Sequence, residues 1–221
     1  MKTFEKIYKS GTDADNKMKT RFFNQLTITG DKLIKKCVNK NYDHLIEKEV
    51  AWYKECKSKI LLDYDIETPL HTMTLKFIEG QPVKDVYAKK DFGTSLVALM
   101  YILRKLQLLH SSSVKQVKKE TYLEDTYLEY VEKPLKRCRE VAHIIDGYDD
   151  ERVKALLEKA YKFITGHRDT ETYYLIHGDV NGSNVIMKED FDDVVLIDPR
   201  GYFGKSSNYG PRDYDLAKVL Y

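Results

Sequence analysis

The sequence predicts an α+β fold of two lobes, a small strand-rich N-terminal lobe followed by a mainly helical C-terminal lobe, on three observations. Short apolar runs broken by turn signals fill the first eighty or so residues. Long stretches of apolar residues at helical spacing follow from residue 94 onward. Near the C-terminal end two more short apolar runs each deliver an acidic residue. The expected division is a strand-rich N-terminal lobe over 1–80 and a helical lobe over 81–221 that carries the two acidic runs.

In the first lobe, Phe22 to Thr29 and Lys32 to Val38 read as two strands joined by the turn Gly30-Asp31. From His44 to Lys57, Leu45, Ile46, Val50, Trp52 and Tyr53 recur at helical spacing among Lys and Glu, which predicts a helix. Residues 72–79 alternate as a strand does, and Gly80-Gln81-Pro82 is expected to end it and act as a hinge.

The second lobe should hold helices over 94–110, 122–145 and 150–165. In the first of these Leu96, Leu99, Met100, Leu103, Leu106 and Leu109 form a broad apolar stripe, which predicts a helix buried at the centre of the lobe. Tyr174-Leu175-Ile176 then leads into His177-Gly178-Asp179, and Val194-Val195-Leu196-Ile197 into Asp198-Pro199.

Composition excludes several function classes. With 37 basic and 35 acidic residues the chain has no global field for gripping nucleic acid or an anionic membrane, so a phosphate ligand must be held locally. Lys115, Lys118 and Lys119 are followed at once by Glu120, Glu124 and Asp125, the pattern of a solvated helix face. Three cysteines without metal-ligand spacing predict a reducing, cytoplasmic setting, and no uncharged apolar run is expected to approach a membrane span. The sequence assigns no oligomeric state.

Phosphoryl transfer from ATP requires an oriented acceptor hydroxyl, metal ions that bridge the phosphates, and cations against the spreading charge. Asp179, just after a short apolar segment, can take a hydrogen bond from a hydroxyl as its proton leaves. Asn184 supplies a neutral oxygen and Asp198 a charged one, a pair suited to Mg²⁺. Arg200, two residues beyond Asp198, could reach a phosphate or an anionic acceptor, or pair with a neighbouring carboxylate.

The stretch His177-Gly178-Asp179-Val180-Asn181-Gly182-Ser183-Asn184, followed by Ile197-Asp198-Pro199, resembles the catalytic motif and metal-binding Asp of the aminoglycoside phosphotransferase and choline kinase group. The resemblance implies a protein-kinase-like fold and a small-molecule kinase that uses ATP and Mg²⁺. Its acceptor would be a hydroxyl of an amino sugar, a sugar or polysaccharide precursor, or an amino alcohol such as choline. Asp179 would be the catalytic base, Asn184 and Asp198 the metal ligands, His177 a brace for the loop, and Asp215 a buried aspartate holding that loop through its backbone.

A strand lysine for the phosphates and a helix glutamate to position it should come from the small lobe. Lys35 with Glu49 is the expected pair, with Lys36 and Glu47 as the alternatives, since one step of strand register decides between the lysines. Phe77 and Ile78 fall in the segment that would read adenine through its backbone. The pattern departs from the group in two places. Only Gly11, within 9–13, offers a trace of a phosphate loop, which tells against a protein kinase. The chain stops at Lys218-Val219-Leu220-Tyr221, in what reads as the start of a helix that continues in relatives, so the acceptor pocket is expected to be only partly present.

Two other readings compete. A nucleotide-binding pseudokinase acting through a protein partner would keep the fold without turnover. Tyr122, Tyr127 and Tyr130 could box a quaternary amine, but their helical spacing predicts packing. His110 reads as a polar cap at a helix end, and His44, His71, His143 and His167 as surface or local hydrogen-bonding residues.

Overall fold

The computed structural model describes residues 24–166 and 172–220; Phe22, Phe23, the glycine region at 9–13 and His167 lie outside them. Strands β1 (Asn24–Thr29) and β2 (Lys32–Cys37) pair antiparallel with Leu26 opposite Lys35. The turn between them works because Gly30 takes a left-handed φ of 60°, open to a residue without a Cβ. Helix α1 (Asp43–Glu55) then buries Ile46, Glu49, Val50 and Tyr53, the i, i+3, i+4, i+7 edge of an amphipathic helix. Strands β3 (Leu61–Asp65) and β4 (Thr72–Lys76) complete a sheet of order β1-β2-β4-β3.

Strand β4 buries Met73 and Leu75 in alternation, as expected, but it ends at Lys76 rather than Glu79. Gly80-Gln81-Pro82 does not simply end a strand. It is itself a short strand, β5 (Gly80–Pro82), paired with β8 (Val185–Lys188) of the second lobe. The approach is so close that a Cβ on Gly80 would stand 2.1 Å from the Met187 carbonyl oxygen, which only glycine tolerates.

The helical lobe opens with α2 (Val83–Lys89) and α3 (Phe92–Ser112). Asp91 caps α3 by accepting from the Thr94 amide at 3.0 Å. The expected burial of α3 is corrected here: Ala98, Ile102, Leu106 and His110 form its buried edge, whereas Leu96, Met100 and Leu103 of the leucine stripe face out. The stripe was broad enough to be divided, with one margin against the core and the other on the surface. By length and composition α3 also reaches the range of a membrane-crossing helix, although it carries Arg104 and Lys105 and so is not an uncharged run. In this fold its inner edge packs into a core of Val83, Val86, Val180, Val185, Met187 and Val194.

After β6 (Val114–Gln116) the expected single helix over 122–145 is instead broken into α4 (Lys119–Tyr127), a π-helical turn (Leu128–Glu132) and α5 (Lys133–Val141). Helix α6 (Asp150–Gly166) packs against α4 and α5. The remaining strands are β7 (Thr172–Leu175), β9 (Val194–Leu196), β10 (Tyr202–Phe203), β11 (Ser206–Ser207) and β12 (Tyr209–Gly210), and α7 (Arg212–Val219) follows them. They form sheets of order β12-β7-β6 and β5-β8-β9 and the hairpin β10-β11.

A second core joins both lobes. Val50, Trp52 and Tyr53 of α1 and Met73 of β4 meet Tyr173, Leu175, Ile176 and Phe203. Of the three tyrosines with helical spacing, Tyr122 is buried in this core, Tyr130 packs on Phe203 and Tyr127 stands edge-on to Tyr161. Buried Asp125 of α4 ties down the β10-β11 hairpin by accepting from the Lys205 amide at 2.7 Å and the Ser206 hydroxyl at 2.6 Å. That anchorage fixes the chain segment that leaves Asp198 and Arg200.

Candidate active site

The site begins where β7 ends. Ile176 and His177 are fully buried, so the chain cannot leave the strand without partners for its amides. Asp215 of α7, itself fully buried, supplies them: its carboxylate accepts from the His177 amide at 2.9 Å and the Gly178 amide at 2.7 Å. His110 at the end of α3 lies 3.0 Å from the same carboxylate through Nε2. His110 is therefore part of a buried network rather than a helix-end cap, a role invisible when its partner is 105 residues away.

His177 braces the loop on two sides. Its Nδ1 accepts from the Asp179 amide at 3.3 Å and its Nε2 reaches the Ile197 carbonyl at 2.9 Å, while its ring stands edge-on to Trp52. Burial holds its pKa below the ordinary histidine value against the pull of Asp215, which suits the neutral tautomer these bonds require. Gly178 turns the chain at φ 83°, and a Cβ there would stand 3.1 Å from the Arg200 Cβ.

Five residues singled out in the sequence meet at one place. Lys35, on β2, extends Nζ to Glu49 of α1 at 2.6 Å and also bonds the Asp198 carboxylate. Lys36 is exposed on the other strand face, and Glu47 is exposed with its carboxylate 3.4 Å from His71. Asn184 donates from Nδ2 to both the Asp179 carbonyl at 2.9 Å and its carboxylate at 3.0 Å. Asp198 takes a left-handed φ of 57°, a strained backbone for an aspartate and one found disproportionately at functional sites.

One ammonium serving two carboxylates has electrostatic consequences. Burial alone would lower the Lys35 pKa, but Glu49 and Asp198 raise it far above the ordinary range, so it stays charged. Burial pushes the Glu49 carboxyl up to about 8, against the pull of Lys35, and the second carboxylate of Asp198 adds to the rise. A cation brought to Asp198 would relieve that crowding.

The oxygen donors fit magnesium. With Nδ2 of Asn184 committed to Asp179, its Oδ1 accepts no hydrogen bond among the described residues, and the Asp198 side chain is 48% exposed. No cluster of three or more His, Cys, Asp or Glu able to hold a metal occurs among the described residues. One carboxylate and one amide oxygen, completed by phosphate and water, is the sparse set that magnesium accepts.

Phe77 and Ile78 are not among the residues that line the cavity beside Asp179 and Asp198. The Phe77 amide donates to the Asp31 carbonyl at 2.7 Å, so that donor is already used.

A cavity of about 570 Å³, lined in part by Lys35 and Glu49, opens beside Asp179 and Asp198. Its lining also holds residues that the motif gave no sign of: Glu129, Lys133, Arg137, Tyr202, Tyr214 and Lys218. Glu129 sits in the π-helical turn, a deviation frequent at functional sites because it re-aims a side chain. It bonds Arg200, which also donates to the Tyr214 hydroxyl. Of the two roles read for Arg200, the pairing with a carboxylate is the one the geometry shows. Lys218 of α7 reaches Asp179 at 3.1 Å.

Comparison with solved structures finds the same fold in small-molecule kinases. The chain matches an aminoglycoside phosphotransferase, APH(3'')-Id from Streptomyces rimosus, with a TM-score of 0.60 and 15% identity, over 98% of this chain and 80% of that one. It matches APH(2'')-IIa, solved as a ternary complex with streptomycin and ATP, at a TM-score of 0.56 and 17% identity, over 96% of this chain and 72% of that one. The choline kinase LicA from Streptococcus pneumoniae gives 0.52 and 14% identity, over 98% and 72%. No family model matches the sequence, and no curated protein does. The two-lobed, kinase-like α+β fold expected from the motif is thus shown by shape, across a sequence distance at which similarity speaks to fold alone.

Proposed function

We propose that the chain is an ATP-dependent phosphotransferase that moves the γ-phosphoryl group to a hydroxyl of a small molecule, as a soluble enzyme of the cytoplasm with lobes over 1–80 and 81–221. The observation that carries this reading is Lys35, which spans Glu49 and Asp198 beside the cavity that Asp179 also lines, with Asn184 holding the Asp179 carboxylate. The fold shared with aminoglycoside phosphotransferases and a choline kinase supports it, and three free cysteines suit a reducing compartment.

Lys35 holds the α- and β-phosphates as a charged group kept in place by Glu49. Asp179 accepts the hydrogen bond of the acceptor hydroxyl and orients its oxygen for in-line attack. Asn184 keeps the Asp179 carboxylate from rotating, since its amide bonds that carboxylate and the backbone behind it. Bound Mg²⁺, held by Asn184 Oδ1 and Asp198, would neutralise charge on the phosphates. The segment at Phe77 and Ile78 would meet adenine through backbone groups other than the Phe77 amide.

The test is release of ADP from ATP and magnesium with a panel of sugars, amino sugars and amino alcohols. Turnover that disappears in Asp179→Asn while the fold stays intact supports the reading; full activity in Asp179→Asn overturns it.

A further inference from the structure

We infer that the acceptor of this enzyme carries a fixed negative charge: a phosphorylated or carboxylated sugar or polyol rather than a cationic aminoglycoside or choline. The inference rests on the proposed reaction and concerns the basic residues that line the cavity with Asp179.

Beside Lys35 with its two carboxylates, Glu49 and Asp198, the lining holds Lys133, Arg137, Arg200 and Lys218 against Asp179 and Glu129. Assigning Lys218 to Asp179 and Glu129 to Arg200 leaves Lys133 and Arg137 in excess. Lys133 is 3.3 Å from the same Glu129, which therefore serves two cations at once. Arg137 makes no ion pair among the described residues and is exposed at the cavity rim.

Arg200 is short of a partner. Its two terminal nitrogens bond Tyr214 and Glu129, but its Nε is buried with no acceptor. A buried guanidinium N–H without an acceptor is costly, and an oxyanion is the group a guanidinium meets best.

The neighbours register the same excess. The Tyr202 ring has Arg200 at 4.0 Å, Lys48 at 4.3 Å and Lys133 at 5.5 Å from its centroid. Burial would raise the Tyr202 phenol, yet Arg200 and Lys133 bring it below its ordinary value. Lys133 lies below its own ordinary value through burial first and repulsion from Arg200 second. A cationic acceptor would add to this repulsion, whereas a phosphate or carboxylate would offset it.

Two measurements on the full chain test the inference. The first is equilibrium binding, with ADP and magnesium present to fill the nucleotide side, of glucose 6-phosphate, glycerol 3-phosphate and glucuronate against glucose, glycerol, choline and streptomycin. The anionic probes should bind at least tenfold more tightly than their neutral parents. Lys133→Glu and Arg137→Glu should each remove most of that preference, while Lys136→Glu, exposed on the same helix, should leave it. Phosphate and carboxylate probes are compared to tell which oxyanion the wall prefers.

Equal binding of glucose and glucose 6-phosphate, a preference for choline or streptomycin, or equal sensitivity to Lys136→Glu overturns the inference. The second measurement is ADP release with the same compounds. Turnover confined to neutral or cationic acceptors overturns the inference and leaves the phosphotransferase reading standing. Selective, Arg137-dependent binding of the anions without turnover does the reverse.

Discussion

Lys218 Nζ lies 3.1 Å from Oδ1 of Asp179, so the proposed base is held between an amide on one side and an ammonium on the other. The lysine comes from the last turn of α7, the helix that also carries Asp215. One element therefore anchors the loop backbone and adjusts the charge at its tip. Lys218 holds a positive charge against the proposed base, so Lys218→Ala should lower kcat by about a hundredfold, the order found when one preorganised stabilising group is removed. Lys218→Arg should recover part of it. Steady-state kinetics with ATP in excess gives the answer, and an unchanged kcat would assign Lys218 to packing alone.

The buried pair of Lys35 and Glu49 makes a statement about pH. A carboxyl whose folded pKa is raised contributes stability that is full below its unfolded value of 4.5 and is lost as pH rises to about 8. The nucleotide-free protein should therefore lose stability across that window, and Glu49→Gln should flatten the loss. Urea unfolding at pH 5 and pH 8 measures it. Lys35→Ala removes the cation that pulls the Glu49 carboxyl down, so the folded carboxyl should rise further and the loss of stability should extend to higher pH.

Asp215 should be the most sensitive structural position in the loop. Asp215→Ala strands the His177 and Gly178 amides and the His110 ring together. A loss of about 3 kcal/mol or more is expected, at about 1–3 kcal/mol for each buried group left unsatisfied. Asp215→Asn keeps the shape but turns one acceptor oxygen into a donor, and should fall between wild type and alanine in urea midpoint.

Gly178→Ala tests the loop geometry directly. Its φ of 83° and the 3.1 Å approach to the Arg200 Cβ mean that a methyl must shift either the loop or Arg200. The expected stability loss is about 1–2 kcal/mol from the left-handed backbone. Because the displaced elements carry Asp179 and the charged wall, kcat/KM should fall more than stability does, and the two measured side by side separate the effects.

The sequence by itself determined the part of the site that is local in the chain. His177, Asp179, Asn184 and Asp198 fall within a short span, with two apolar strands to deliver the acids, so their order was readable without coordinates. Period also showed where β4 and α1 lie, because Met73 and Leu75 alternate and Ile46, Val50 and Tyr53 repeat at helical spacing, but it gave no sign of β3, which is mostly exposed. Tertiary structure decided the rest. Sheet register set Lys35 opposite Leu26 and Met73 and turned it, not Lys36, toward Glu49, since one residue of slip exchanges the two faces.

Period could not tell which margin of the α3 stripe is buried, because a wide apolar face does not say how much of it a neighbour covers. Nor could it find Glu129 with Arg200, His110 with Asp215, or Lys218 with Asp179. These partners are 71, 105 and 39 residues apart, and such pairs leave no repeating signature. What joins them is packing between elements, and that packing decides the charge of the cavity wall.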